Sequence, residues 1–203
     1  MKKLIVLMMV AVAGMAFKVA DGGYKVGDTA ADFKLKNVNG KTVSLADYKS
    51  AKGYIVVFTC NHCPYAKAYE SRIMALDKQY AGKGYPVIAI SPNDPVAEPA
   101  DSFENMQKLA KQKGYSFPYL LDETQDITRA YGAKATPHVF VLQKTAAGNV
   151  VKYIGAIDDD TENTKADKVK YVESAVNALL SGKQPETTAT KAIGCSIKWK
   201  KSA

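Results

Sequence analysis

The chain has 203 residues, 47% hydrophobic and 24% charged, with a formal net charge of +8. That length suits one domain, and that balance excludes disorder, collagen or coiled coil for the chain as a whole. Three cysteines are too few for a disulfide scaffold, so a hydrophobic core must carry the fold. The odd count leaves one thiol over in any intramolecular pairing.

Lys2-Lys3, an apolar run over residues 4–13, and the small Gly14 and Ala16 read as a secretory signal peptide. Cleavage fits after Ala16 or after Ala13. The run is too short to span a bilayer, no cysteine follows it for a lipid anchor, and no second stretch is long enough to cross. The expectation is an exported, periplasmic protein: signal over 1–16, one domain over 17–182, a polar tail over 183–203. Its lysines are scattered apart from Lys198, Lys200 and Lys201, with no basic stripe interleaved with aromatics. A solvated surface is expected, and no nucleic-acid partner.

Residues 33–38 and 42–45 flank Asn39-Gly40, a hairpin signal. Residues 54–59, Tyr-Ile-Val-Val-Phe-Thr, suit a strand buried on both faces. From Pro64 the pattern turns helical, with Ala66, Tyr69, Ile73, Leu76 and Tyr80 at spacings of three and four. A buried strand follows over 86–91 and a proline-rich loop over 92–99. A helix capped by Asp101 or Ser102 runs to about Lys113, with Phe103, Met106, Leu109 and Ala110 inside. A strand over 118–121, a short helix over 124–131, and strands over 139–142 and 150–154 come next. The last helix is expected over 164–180, with Val169, Val172, Val176 and Leu179 as its stripe. This order implies an α/β fold, a mixed sheet with helices on both faces. The acidic run Asp158-Asp159-Asp160 lacks the spacing of a calcium loop and reads as a solvated or capping segment.

Cys60-Asn61-His62-Cys63 falls where the buried strand meets the helix. Unpaired N–H groups and the helix dipole favour a thiolate there, and a protonated His62 would add to that. Cys60 is therefore expected to have a lowered pKa and to act as the nucleophile. Cys63 is expected to resolve the mixed disulfide, since a two-residue spacer brings the sulfurs within bonding reach.

Ala135-Thr136-Pro137-His138 precedes a later strand. A strand, Cys-x-x-Cys opening a helix, then Thr-Pro before a hairpin resembles the thioredoxin superfamily, over roughly residues 24–180. Val26-Gly27-Asp28-Thr29-Ala30-Ala31-Asp32-Phe33 is similar to the opening of the AhpC/TSA redoxins, which include peroxiredoxins and TlpA-like reductases. Asn61-His62-Cys63-Pro64-Tyr65 and Gly194-Cys195-Ser196-Ile197-Lys198-Trp199 resemble a peroxiredoxin-like branch of that group. The resemblance implies a thioredoxin-like fold, a mixed central sheet flanked by helices, with an N-terminal β-hairpin extension and a C-terminal tail. It also implies that Pro137 is a cis-proline facing the cysteines, and that Thr136 and Pro137 bind an extended substrate segment. Where many thioredoxins bury an acid, six residues before the first cysteine, this chain has Tyr54; Glu70 or water is left as proton acceptor for Cys63.

The activity expected is disulfide exchange with protein thiols and disulfides, without an organic cofactor or metal, and with electrons from a membrane or exported donor protein. Three other readings compete. A thiol peroxidase would use Cys63, but its pattern asks for proline and threonine where Val56 and Cys60 stand. Copper or zinc could be held by Cys60, Cys63 and His138. A purely structural Cys60–Cys63 bridge would close too small a loop to add much stability. Cys195 is a possible third redox thiol, with a bond to Cys60 or Cys63, a bond between chains, or a free thiol all open to it. Ile193, Ile197 and Trp199 suggest that its segment docks on the body.

Overall fold

The computed structural model describes residues 22–201, so the signal segment expected over 1–16 lies outside the described residues. The run at 54–59 forms strand β4 (Gly53–Phe58), buried along its whole length. It pairs in parallel with β5 (Val87–Ser91), which pairs in parallel with β6 (Tyr119–Leu121). On its other side β4 pairs antiparallel with β8 (His138–Thr145), and β8 with β9 (Gly148–Gly155). This order of three parallel strands and a hairpin is the thioredoxin-like sheet. Short strands extend both edges: β1 (Thr29–Ala30) beside β9, and the hairpin β2 (Leu35–Asn37) and β3 (Thr42–Val43) beside β6. The hairpin turns at Gly40, whose φ of 82° favours glycine.

Side chains alternate across β4, so its two faces serve two cores. Ile55 and Val57 meet helix α1 (Pro64–Tyr80) through Tyr69, Ile73 and Leu76. The same core takes Met106 of α2 (Phe103–Lys113) and Val172, Val176 and Leu179 of α4 (Tyr171–Leu180). Tyr54, Val56 and Phe58 face the other way, toward Phe33, Leu45 and Tyr131 of α3 (Asp126–Tyr131). Each fully buried aliphatic or aromatic side chain contributes about 1.5–3 kcal/mol. Ser102, not Asp101, caps α2, its side chain accepting from the Asn105 N–H. Among the described residues no helix is long and apolar enough to cross a membrane.

The last helix is shorter than the sequence predicts. It starts at Tyr171, and Val169, expected on its buried stripe, is exposed. Side chains of the preceding acidic run explain this. Asp159 accepts from the Val169 N–H at 2.8 Å, and Asp160 accepts from the Lys165 N–H at 2.6 Å. These bonds offer the backbone an alternative to helix. Asp158 and Asp160 are buried rather than solvated; Arg72 pairs with Asp158 at 2.7 Å and Lys168 with Asp160 at 3.1 Å. Arg72 also donates to the carbonyls of Thr161 and Ala68, tying this loop to α1.

The tail docks, but of the three apolar residues that suggest it only Ile197 is buried; Ile193 and Trp199 stay exposed. Strand β10 (Cys195–Ser196) pairs antiparallel with β7 (Ala135–Thr136), and Ile197 is buried in the second core. The tail passes close to β9 at Gly155, where a Cβ would overlap Thr190.

Arg72→Met should strand Asp158 as a buried unpaired charge and lower stability by about 3 kcal/mol, read from urea unfolding midpoints. An unchanged midpoint would show that solvent relieves the charge.

Candidate active site

The strand–helix junction ends in an extended Cys63, the N-cap of α1, with Pro64 in the first turn where no N–H is needed. Cys63 is thus at the helix boundary. Both motif cysteines are buried, Cys60 5% exposed and Cys63 0%, so Cys60 is only marginally the more open. Thr136, joined to Pro137 by a cis peptide bond, faces them. Its hydroxyl lies 3.2 Å from Cys60 Sγ, and its carbonyl oxygen 3.2 Å from Cys63 Sγ. The residues expected to hold substrate and the two exchange cysteines therefore share one place.

The bridge is not within Cys-x-x-Cys. Cys63 is bonded to Cys195, 132 residues away, and Cys60 is a free thiol. Cys195 arrives on β10, opposite Thr136 in the ladder. Of the fates left open by the sequence, the structure selects the bond to Cys63.

One residue organises the loop and was missed as a site residue: Asp101. It is fully buried, and Oδ1 accepts from the backbone N–H groups of Asn61 (2.7 Å) and His62 (3.0 Å). Its Oδ2 accepts from His62 Nδ1 and from Asn93 Nδ2, both at 2.6 Å. Asn61 is held further by the Ala100 carbonyl and by the Tyr119 hydroxyl, which donates to its Oδ1. The only sequence signal was Asp101 beside Ser102 as a cap, because its partners in the cysteine loop lie about forty positions away.

This carboxylate changes the electrostatics expected of Cys60. Burial pushes the thiol up to about 11, and the Asp101 charge adds to the rise. The Thr136 hydroxyl and the N–H groups of Cys63 and His62 pull the other way without prevailing. His62 Nδ1 is 3.6 Å from Cys60 Sγ but is committed to Asp101. The lowered pKa expected from the helix end is thus not found in this state: desolvation outweighs the dipole.

Glu70, a candidate proton acceptor, is paired with Lys113 at 2.6 Å and accepts from the Tyr115 hydroxyl. With Cys60, Tyr115 and Tyr119 it lines a cavity of about 10 Å³, room for one water beside the free thiol. His138 does not join the cysteines. Its Nδ1 accepts from the Lys134 N–H at 3.3 Å and its ring packs on Phe140. Among the described residues the potential ligands that converge are Cys60, His62 and Asp101, a different set from Cys60, Cys63 and His138.

Cys60 should alkylate slowly at neutral pH and faster as pH rises toward 11. Asp101→Asn removes a negative charge from beside the thiol, so its pH profile should shift down; an unmoved profile would remove Asp101 as a cause. Burial lowers the His138 pKa from 6.5 to about 4. The unfolded chain then binds a proton that the folded chain refuses. Stability should fall by up to about 3 kcal/mol as pH drops from 6.5 to 4. His138→Leu should lose that part of the acid sensitivity, measured as urea midpoints at both ends of the window.

Known proteins resemble this chain in sequence and fold. Thiol-disulfide oxidoreductase ResA of Geobacillus thermodenitrificans is 27% identical over 181 residues, covering 86% of this chain and 94% of the relative. The crystal structure of an uncharacterized conserved protein from Geobacillus kaustophilus is 38% identical with a TM-score of 0.80, covering 88% of this chain and 94% of that one. A hypothetical protein from Sinorhizobium meliloti 1021 is 34% identical with a TM-score of 0.81, covering 91% and 100%. The AhpC/TSA family model matches residues 26–154, a span running from the opening motif through the cysteine pair and the cis-proline to β9, and the chain belongs to that family.

Proposed function

We propose that the protein is an exported thiol–disulfide oxidoreductase that exchanges disulfides with protein substrates. The observation that carries this reading is a disulfide lying beside a free thiol on the cis-proline edge: Cys63–Cys195 and Cys60, with Thr136 touching the sulfurs of both motif cysteines. Cys60 forms the mixed disulfide with substrate and Cys63 resolves it. Cys195 is the third redox thiol. Thr136 and Pro137 hold the substrate strand, and His62, oriented by Asp101, tunes the site. Electrons come from a membrane or exported donor protein. The signal pattern over residues 1–16 supports export, and the relatives named as thiol-disulfide oxidoreductases support the chemistry.

A structural bridge is the reading to separate from this one. Closing 132 residues would stabilise the fold by about 4–5 kcal/mol through chain entropy. A structural bridge has no use for a thiol kept beside it, whereas exchange requires one. A peroxidase is disfavoured, since Val56 and Cys60 replace the proline and threonine it would need.

The test is a trap. Cys63→Ser alone would leave Cys195 free to occupy Cys60, so the double variant Cys63→Ser/Cys195→Ser is used. It should accumulate mixed disulfides on Cys60 with exported proteins, identified by mass spectrometry. No trapped species, while the wild type turns over a disulfide substrate, would overturn the roles of Cys60 and Cys63.

A further inference from the structure

The C-terminal segment occupies the edge that the exchange reading reserves for substrate. Cys195 pairs with Thr136 and Ser196 with Ala135. Beyond the ladder, the Lys198 N–H donates to Asn93 Oδ1 at 2.9 Å, and the Lys198 carbonyl accepts from the Asp94 N–H at 2.8 Å. These contacts use the tail's backbone and would accept other sequences. Its side chains follow the strand period of two: Cys195 faces the sulfurs, Ser196 is exposed, and Ile197 is buried beside Phe58, Tyr131 and Phe140. Gly194 is a steric requirement, because a Cβ there would overlap the Thr136 carbonyl oxygen.

We propose that residues 193–200 are a built-in substrate strand, so that the protein's substrates are extended segments with glycine just before the reacting cysteine and an aliphatic residue two places after it. This inference rests on the exchange reading above and names the substrate class of the same site: Cys195 rests on Cys63 where a substrate cysteine would bond Cys60, and Thr136 touches both sulfurs on that one edge. While Cys63 and Cys195 are bonded, the edge is closed to other strands. Opening needs no outside electrons. Cys60 gives its proton to water, and its thiolate attacks Cys63 Sγ. The Cys60–Cys63 bond forms as the Cys63–Cys195 bond breaks, and Cys195 leaves as a thiolate that takes up a proton. The donor protein of the exchange reading then supplies two electrons and two protons that reduce the Cys60–Cys63 bond to two thiols, and a substrate disulfide meets them at an uncovered edge.

The probe is the peptide of residues 192–200 carrying its cysteine as a glutathione mixed disulfide, beside the same peptide with Gly194→Val. Reduced full-length Cys195→Ser protein should consume the glycine peptide about tenfold faster than the valine peptide, the effect expected of a backbone overlap. It should reduce a small aromatic disulfide irrespective of either peptide's sequence. Equal peptide rates with the aromatic disulfide still reduced would overturn the substrate class and leave the exchange reading intact. Failure on all three disulfides would overturn both. In the wild type, amide hydrogen exchange at Thr136 and Cys195 should speed up about tenfold on reduction with dithiothreitol. Unchanged exchange would overturn the closing role.

Discussion

A buried carboxylate sets the shape of the exchange site. Among the described residues no Lys or Arg pairs with Asp101; it accepts two backbone N–H groups of the cysteine loop, His62 and Asn93. Hydrogen bonds to a charged acceptor are roughly twice as strong as neutral ones, and burial raises their cost of loss. The loop between Cys60 and Cys63 is therefore fixed from the side, by a residue just before α2, rather than by its own turn. The same carboxylate orients Asn93, whose Oδ1 receives the tail at Lys198. One charge thus connects the cysteine loop with the segment that carries Cys195.

The C-terminal segment is part of the fold rather than an appendage. Ile197 fills the second core, Gln125 donates to the Lys198 carbonyl and accepts from the Lys200 N–H, and Trp199 lies over Arg129. Only two residues pair as strand, however, so much of the attachment at Thr136 runs through the disulfide. A covalent tie of that kind can be exchanged without dismantling the core.

The main elements were legible because their patterns are local. The β-branched run of β4 and the three–four spacing of α1 each state their own structure, whereas the edge facing the cysteines was implied by the family resemblance that the Thr-Pro pair helps to carry. The residues over 164–170 misled because their helical spacing competes with side-chain bonds from Asp159 and Asp160, which spacing does not encode. Asp101 was hidden for a related reason: its partners are distant in sequence and its neighbours suggest only a cap. The pKa of Cys60 departs from expectation because the helix end is visible in a sequence and burial among Cys63, Ala66 and Cys195 is not. The pairing of Cys195 depends on the register of a two-residue ladder, which no local pattern specifies.

The raised pKa of Cys60 also bears on chemical survival. With a value of about 11, roughly one molecule in ten thousand carries the thiolate at pH 7. Peroxides oxidise thiolates, and the steps beyond sulfenic acid are not reversed by ordinary thiols. In the bridged state two of the three sulfurs are already in a disulfide and the third is held protonated and buried. Wherever peroxides are present, that state would work as a safe store for the Cys60 thiol.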